Sequence, residues 1–142
     1  MSPIVSKYPE VTKIVFQANG LPFTLLERGE GDRLALLLHG FPDDPGSMIP
    51  LMSLLAAKGF RTIAPYMRGY GPTPAPLSGD YRLSTLSEDI QAIITESGHS
   101  QALVIGHDWG GLAAITAAAT RPDMFLGLVS LSVPPIPCFL SN

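Results

Sequence analysis

The sequence predicts an α/β protein: a mostly parallel sheet flanked by helices. Three observations carry that prediction. Four apolar runs, Leu34 to Leu38, Arg61 to Ala64, Ala102 to Ile105 and Phe125 to Leu131, lack the alternation of a half-exposed strand. Such runs read as strands covered on both faces. Helical patterns lie between them, and the connections are short, as in strand-helix-strand units.

The elements can be justified in chain order. Val11 to Ala18 and Leu21 to Glu27 are short strand-like runs joined at Asn19-Gly20, a dipeptide that supplies the positive φ of a tight hairpin. This makes the second strand antiparallel in a sheet of about six. Met48, Leu51, Met52, Leu54 and Leu55 recur at helical spacing, and Gly59 follows as a stop. The next helix is expected to open on a capping box, Thr85 with Glu88. It carries Leu86, Ile90, Ile93 and Ile94 on one side and stops at Gly98. The third helix, Leu112 to Thr120, is mostly alanine, so its axis can lie close to the sheet, and Arg121-Pro122 ends it.

Composition agrees and excludes several function classes. At 142 residues the chain has the length of one domain, and with no repeat, low-complexity tract or polar linker we draw no boundary within 1–142. Hydrophobic residues are 46% and charged residues 15%, which excludes disorder. The net charge of -3, without a basic cluster, argues against nucleic acid and anionic membranes as partners. Cys138, the single cysteine, excludes an internal disulfide and offers no metal-ligand spacing, so neither a metal nor another cofactor is expected. The first residues lack a basic region followed by an apolar stretch, and no apolar run reaches membrane-spanning length. The expectation is a cytoplasmic protein.

In such sheets ligands bind beyond the carboxyl ends of the strands. Those ends read His39-Gly40-Phe41-Pro42, Arg68-Gly69-Tyr70-Gly71, Gly106-His107-Asp108-Trp109-Gly110-Gly111 and Val133-Pro134. The third is the most informative. Small residues two before and two after a central residue, between strand and helix, suit a sharp nucleophile elbow, and the central residue here is Asp108. A carboxylate attacking a saturated carbon leaves an ester, which water and a base can cleave, whereas a serine would leave an inert ether. A carboxylate is also ionised at neutral pH and needs no base for its attack. The pattern therefore points to attack on an sp³ carbon bearing a strained or good leaving group. The ester then needs a stabilised oxyanion when water attacks. The backbone N–H groups of Trp109 and Phe41 are the natural donors, and Pro42 has none to give.

In this order and spacing the first three motifs resemble the N-terminal half of an α/β-hydrolase of the epoxide hydrolase and haloalkane dehalogenase group, from about Arg33 to Pro137. The resemblance implies that Asp108 is the alkylated nucleophile, that Phe41 and Trp109 form the oxyanion hole, and that His39, Gly40, Pro42, Gly106, His107 and Gly110 shape the site. Phe41 stands where haloalkane dehalogenases have a halide-supporting asparagine, so an epoxide is the expected small-molecule substrate. An alkyl halide, including a fluoroacetate-type substrate, is the alternative. The chain departs from the family at Tyr66, at Pro72-Thr73 and at Asp43-Asp44-Pro45-Gly46. By the same resemblance the cap, the C-terminal strands, the general base and its orienting acid would follow Asn142. The chain is thus expected to be an incomplete α/β-hydrolase unit, alkylated once without turnover.

Each remaining candidate has a plainer reading. His39 is expected to hold the oxyanion loop, His107 to pack away from Asp108, and His99 to be solvated near a helix C-terminus. Tyr66 and Tyr70 are expected in loop or core roles, Arg68 in a loop-holding hydrogen bond, and Asp43 and Asp44 facing water. For Asp108 the competing role is a cap on the third helix. A non-catalytic truncated or binding protein is the rival from another class, and complementation by a second polypeptide a third. An exposed apolar sixth strand is expected to drive self-association.

Overall fold

The computed structural model of the chain describes residues 6–135, so Cys138 lies outside the described residues. Strands β1 (Thr12–Ala18) and β2 (Leu21–Arg28) form the expected hairpin, with Asn19 and Gly20 both at positive φ. Strand β3 (Arg33–Leu38) leads through a 3-10 turn (Pro45–Met48) into helix α1 (Ile49–Ala57), followed by β4 (Phe60–Pro65). Helix α2 (Leu83–Glu96), β5 (Ala102–His107), helix α3 (Trp109–Thr120) and β6 (Phe125–Leu131) complete the order.

The strands make one six-stranded sheet in the order β1-β2-β4-β3-β5-β6. Strand β2 is antiparallel to both its neighbours, and β4, β3, β5 and β6 run parallel. In β3 and β5 the uninterrupted apolar runs have the anticipated cause. The Phe125–Leu131 run, by contrast, is not covered on both faces, because β6 lies at the edge of the sheet and leaves Leu126, Leu128, Val129 and Leu131 exposed. Leu34, Leu36 and Leu38 of β3 join a core with α2 and α3, while Ala35 and Leu37 join a second core with α1 on the opposite face. Val104 and Ile105 of β5 divide between the same two cores. Because successive strand residues point to opposite faces, only a run without polar alternation can bury both.

Three local expectations are corrected. Thr85 does not cap α2: the helix begins at Leu83, and the Thr85 hydroxyl donates to Asp80 Oδ2 at 2.8 Å. Asp80 organises this turn instead, its Oδ1 accepting from the Arg82 N–H at 3.1 Å. Leu54 faces water, because α1 turns Ile49 and Met52 inward. Helix α3 starts at Trp109, three residues before the alanine-rich stretch, because Gly110 and Gly111 fit the space between helix and sheet. Among the described residues, no helix is long and apolar enough to cross a membrane.

Candidate active site

Strands β3, β4 and β5 are parallel neighbours, so the segments after them emerge at one edge of the sheet. The chain leaves β3 for β4 on one side and later returns to β5 on the other, a topological switch point that opens a crevice at the carboxyl ends. Phe41 and Asp108 meet there. Asp108 has φ +52° and ψ -117°, a backbone conformation that costs a residue with a side chain about 1–3 kcal/mol. Its N–H donates to the Leu131 carbonyl at 3.1 Å, which fixes the turn against the end of β6.

The flanking glycines are sterically required. A Cβ at Gly106 would stand 2.4 Å from the Gly110 carbonyl oxygen, and one at Gly110 would stand 2.5 Å from that of Leu38. Gly40 is constrained by the site itself, since a Cβ there would stand 2.6 Å from the Cβ of Asp108 and 3.0 Å from His107 Nδ1.

The carboxylate of Asp108 makes no side-chain cap bond to α3, so the cap role that competed for this residue is not seen. It reaches across to β3, where the Phe41 N–H donates to Oδ2 at 3.0 Å. Hydrogen bonding from the Phe41 amide, then from the Trp109 amide, holds the carboxyl below its ordinary value. Of the two amides named from the sequence, that of Phe41 therefore meets this carboxylate directly. Phe41 itself is 71% exposed, its ring standing on the open rim beside an exposed Pro42.

The other candidates fall into place around this pair. His39 is fully buried: its Nδ1 bonds the Gly40 carbonyl at 2.9 Å and its Nε2 accepts the Met67 N–H at 3.1 Å. Burial pushes its pKa below the ordinary value, which keeps the ring neutral. Arg68 is buried in a two-pronged bond to Asp89 and also donates to the Asp80 carbonyl, the loop-holding role anticipated for it. Asp43 and Asp44 are exposed, and Asp44 caps the 3-10 turn through the Gly46 N–H at 2.6 Å. His99 follows the end of α2, half-buried against the Ser97 hydroxyl at 3.2 Å. Tyr66 is buried in the α1-side core.

Two expectations change. His107 is half-buried at the rim beside Gly40, not packed in the core, because the sharp turn at Asp108 ends β5 there. Tyr70 belongs to the site's surroundings: its ring packs edge-on against His39 at 4.6 Å, and burial together with the charge of Asp108 raises its phenol pKa. Sequence reasoning also missed Asp89 on α2, which pairs with Arg68, and Asn19 in the hairpin turn, whose side-chain amide donates to Asp89; both meetings arise only through the fold. The departure at Thr73 finds an explanation, since its buried hydroxyl accepts the Thr24 N–H at 3.0 Å and ties this loop to β2.

The alpha/beta hydrolase fold family matches residues 35–141, three-quarters of the chain and all three motifs. The chain belongs to that family. This α/β-hydrolase is 39% identical over 118 residues to the AB hydrolase superfamily protein YfhM of Bacillus subtilis, covering 82% of the chain and 41% of that protein. It is 38% identical over 117 residues to an epoxide hydrolase of Caballeronia sordidicola, covering 82% of the chain and 35% of the relative. Among solved structures it resembles the epoxide hydrolase VrEH1 of Vigna radiata, with a TM-score of 0.85 at 36% identity, covering 89% of the chain and 42% of that structure. The α/β-hydrolase chain therefore spans about two-fifths or less of the length of these relatives.

Proposed function

We propose that Asp108 is the nucleophile of an epoxide hydrolase-type reaction, with the Phe41 and Trp109 amides as its oxyanion hole. One observation carries the reading: at the strained turn after β5, the Asp108 carboxylate leaves its own helix uncapped and sits on the Phe41 amide. Oδ2 is engaged by that donor, so Oδ1 is the oxygen available to attack. A new C–O bond forms from Oδ1 to the less hindered or better polarised epoxide carbon. The epoxide C–O bond breaks, and the alkoxide takes a proton from an acid or from water. The product is a hydroxyalkyl ester. Water attacking the ester carbonyl would drive charge onto the oxygen held by Phe41 and Trp109.

The relatives named epoxide hydrolases support an epoxide as the substrate class. Hydrolysis of the ester needs a base. Both ring nitrogens of His39 are engaged, and His99 follows α2 at the amino-terminal edge of the sheet. His107 makes no hydrogen bond to Asp108. We therefore infer that this chain by itself stops at the ester.

Mass spectrometry of the protein after exposure to an aryl epoxide tests the proposal. The expected result is a single adduct on Asp108 with the full mass of the reagent, absent in Asp108→Asn. An adduct from an alkyl halide and none from the epoxide would move the substrate class to halides. Diol formation over many turnovers would refute the inference that the chain stops at the ester. Epoxide binding that leaves no adduct and survives Asp108→Asn would replace the enzyme with a binding protein.

A further inference from the structure

We propose that the buried Arg68–Asp89 pair is a positioning unit for the Phe41 amide, acting through Met67 and His39, although neither member touches Asp108. The inference rests on Phe41 being the oxyanion donor of the proposed reaction.

The connection can be followed atom by atom. Asp89 on α2 is 4% exposed and accepts from Arg68 Nε at 2.7 Å, Arg68 Nη2 at 2.8 Å and Asn19 Nδ2 at 2.8 Å. Arg68 uses Nη1 on the Asp80 carbonyl at 2.9 Å, so its guanidinium is held from α2 and from the loop before it. One residue earlier, the Met67 N–H donates to His39 Nε2 at 3.1 Å. A ring nitrogen that accepts must be unprotonated, so in the neutral ring the proton sits on Nδ1. From there it donates to the Gly40 carbonyl at 2.9 Å. That carbonyl and the Phe41 N–H belong to one rigid peptide plane. Fixing the oxygen therefore fixes the direction of the N–H that meets Asp108 Oδ2 at 3.0 Å.

A structural pin would not need an ion pair at this place. Burying a charged pair recovers little net stability over an apolar pair of the same volume, but breaking it leaves an uncompensated charge. What the two-pronged geometry supplies is direction: planar guanidinium on carboxylate fixes both partners in a way one ammonium cannot. The segment it fixes carries the Met67 amide that selects the His39 tautomer.

The experiment uses NMR on the 142-residue chain together with the adduct assay. In the wild-type chain, ring nitrogen shifts of His39 should report the Nδ1–H tautomer with Nε2 accepting; the opposite tautomer overturns the proposal outright. In Asp89→Asn, the carboxyl titration midpoint of Asp108 should move up towards the ordinary carboxylate value and the alkylation rate should fall at least about tenfold. The control Asp123→Asn, which breaks the exposed Arg121–Asp123 pair, should change neither. An Asp89→Asn chain that is folded and less stable, but keeps the wild-type Asp108 midpoint and His39 tautomer, reduces the pair to a structural pin and overturns the proposal. If that variant does not fold, Arg68→Lys, which keeps the charge and loses the fork, is read by the same two outcomes. A wild-type chain that forms no adduct refutes the nucleophile reading alone, because the titration and the tautomer still decide the positioning.

Discussion

Replacing Gly110 with alanine tests the geometry of the elbow most directly. The added Cβ would stand 2.5 Å from the Leu38 carbonyl oxygen, 2.6 Å from that of His39 and 2.7 Å from the Leu38 Cβ. Two of these three atoms are backbone at the end of β3, whose ladder is paired on both sides, so no flexible side chain can yield. Restoring ordinary contact near about 3.5 Å requires the first turn of α3 to move away from β3 by about 1 Å. Overpacking of this kind costs about 1–3 kcal/mol, and the upper half is expected where backbone must shift. For a chain of this size, that lowers Tm by about 5–10 °C. Asp108 lies two residues before Gly110 and is held to the sheet by its own N–H. The same movement lengthens the 3.0 Å bond from Phe41 and raises the Asp108 carboxyl pKa. Thermal unfolding, carboxyl NMR titration and the epoxide adduct rate measure the three effects. Gly127→Ala is the control, because its Cβ meets only Leu103 Cδ1 at 3.3 Å. A Gly110→Ala chain with wild-type Tm and a wild-type Asp108 midpoint would refute the steric argument for the elbow.

Three further outcomes are expected. Because the Phe41 and Trp109 amides depress the Asp108 pKa, the carboxylate stays ionised below its ordinary 3.8, and the adduct rate should reach half its plateau below that pH. A midpoint above 3.8 would count against the amide contacts. His39 has the opposite charge type and a lowered folded pKa. Above pH 6.5 it is neutral in both states; as pH falls through 6.5 the unfolded chain takes the proton first, and stability is lost until the folded ring's own value is reached. Asp43 and Asp44, which pull the ring's pKa upwards, narrow that window. Urea midpoints between pH 7 and pH 5 read the slope, and a flat profile in the wild type, matched by His39→Gln, would remove His39 as its source. Finally, β6 forms one edge of the sheet and exposes Leu126, Leu128, Val129 and Leu131 on its two faces, so light scattering should show self-association that Leu128→Lys reduces. A monodisperse wild-type monomer would be the contrary result.

Much of the fold could be read from the chain because the informative features are local. Apolar runs such as Leu34–Leu38 carry the requirement of a strand covered on both faces, and the two cores on either side of β3 meet it. Helix starts were less readable. Thr85 has the pattern of a cap, but Asp80 sits five residues earlier and takes its hydroxyl. Leu54 has the spacing of a core residue, yet α1 faces the sheet along a narrower stripe through Ile49 and Met52.

The site divides along the same line. Gly106, Asp108 and Gly110 are readable from the spacing of a tight strand-to-helix turn. At Gly106 the exclusion is local, since a Cβ there would meet Gly110 and Gly111; at Gly110 the excluding atoms are those of Leu38 and His39 at the end of β3, which only the fold brings there. The Phe41–Asp108 bond joins residues 67 apart and still follows from the sequence, because parallel neighbours must deliver their ends to one edge. No such rule chooses Asp89 for Arg68 or Met67 for His39. A charged side chain can pair with any opposite charge within reach, and reach is set only when α2 packs across the sheet. Residue types and their spacing therefore fix the turn and the carboxylate that it presents. The direction of the amide that meets this carboxylate depends on distant hydrogen bonds, which exist only once helix, loop and hairpin are assembled.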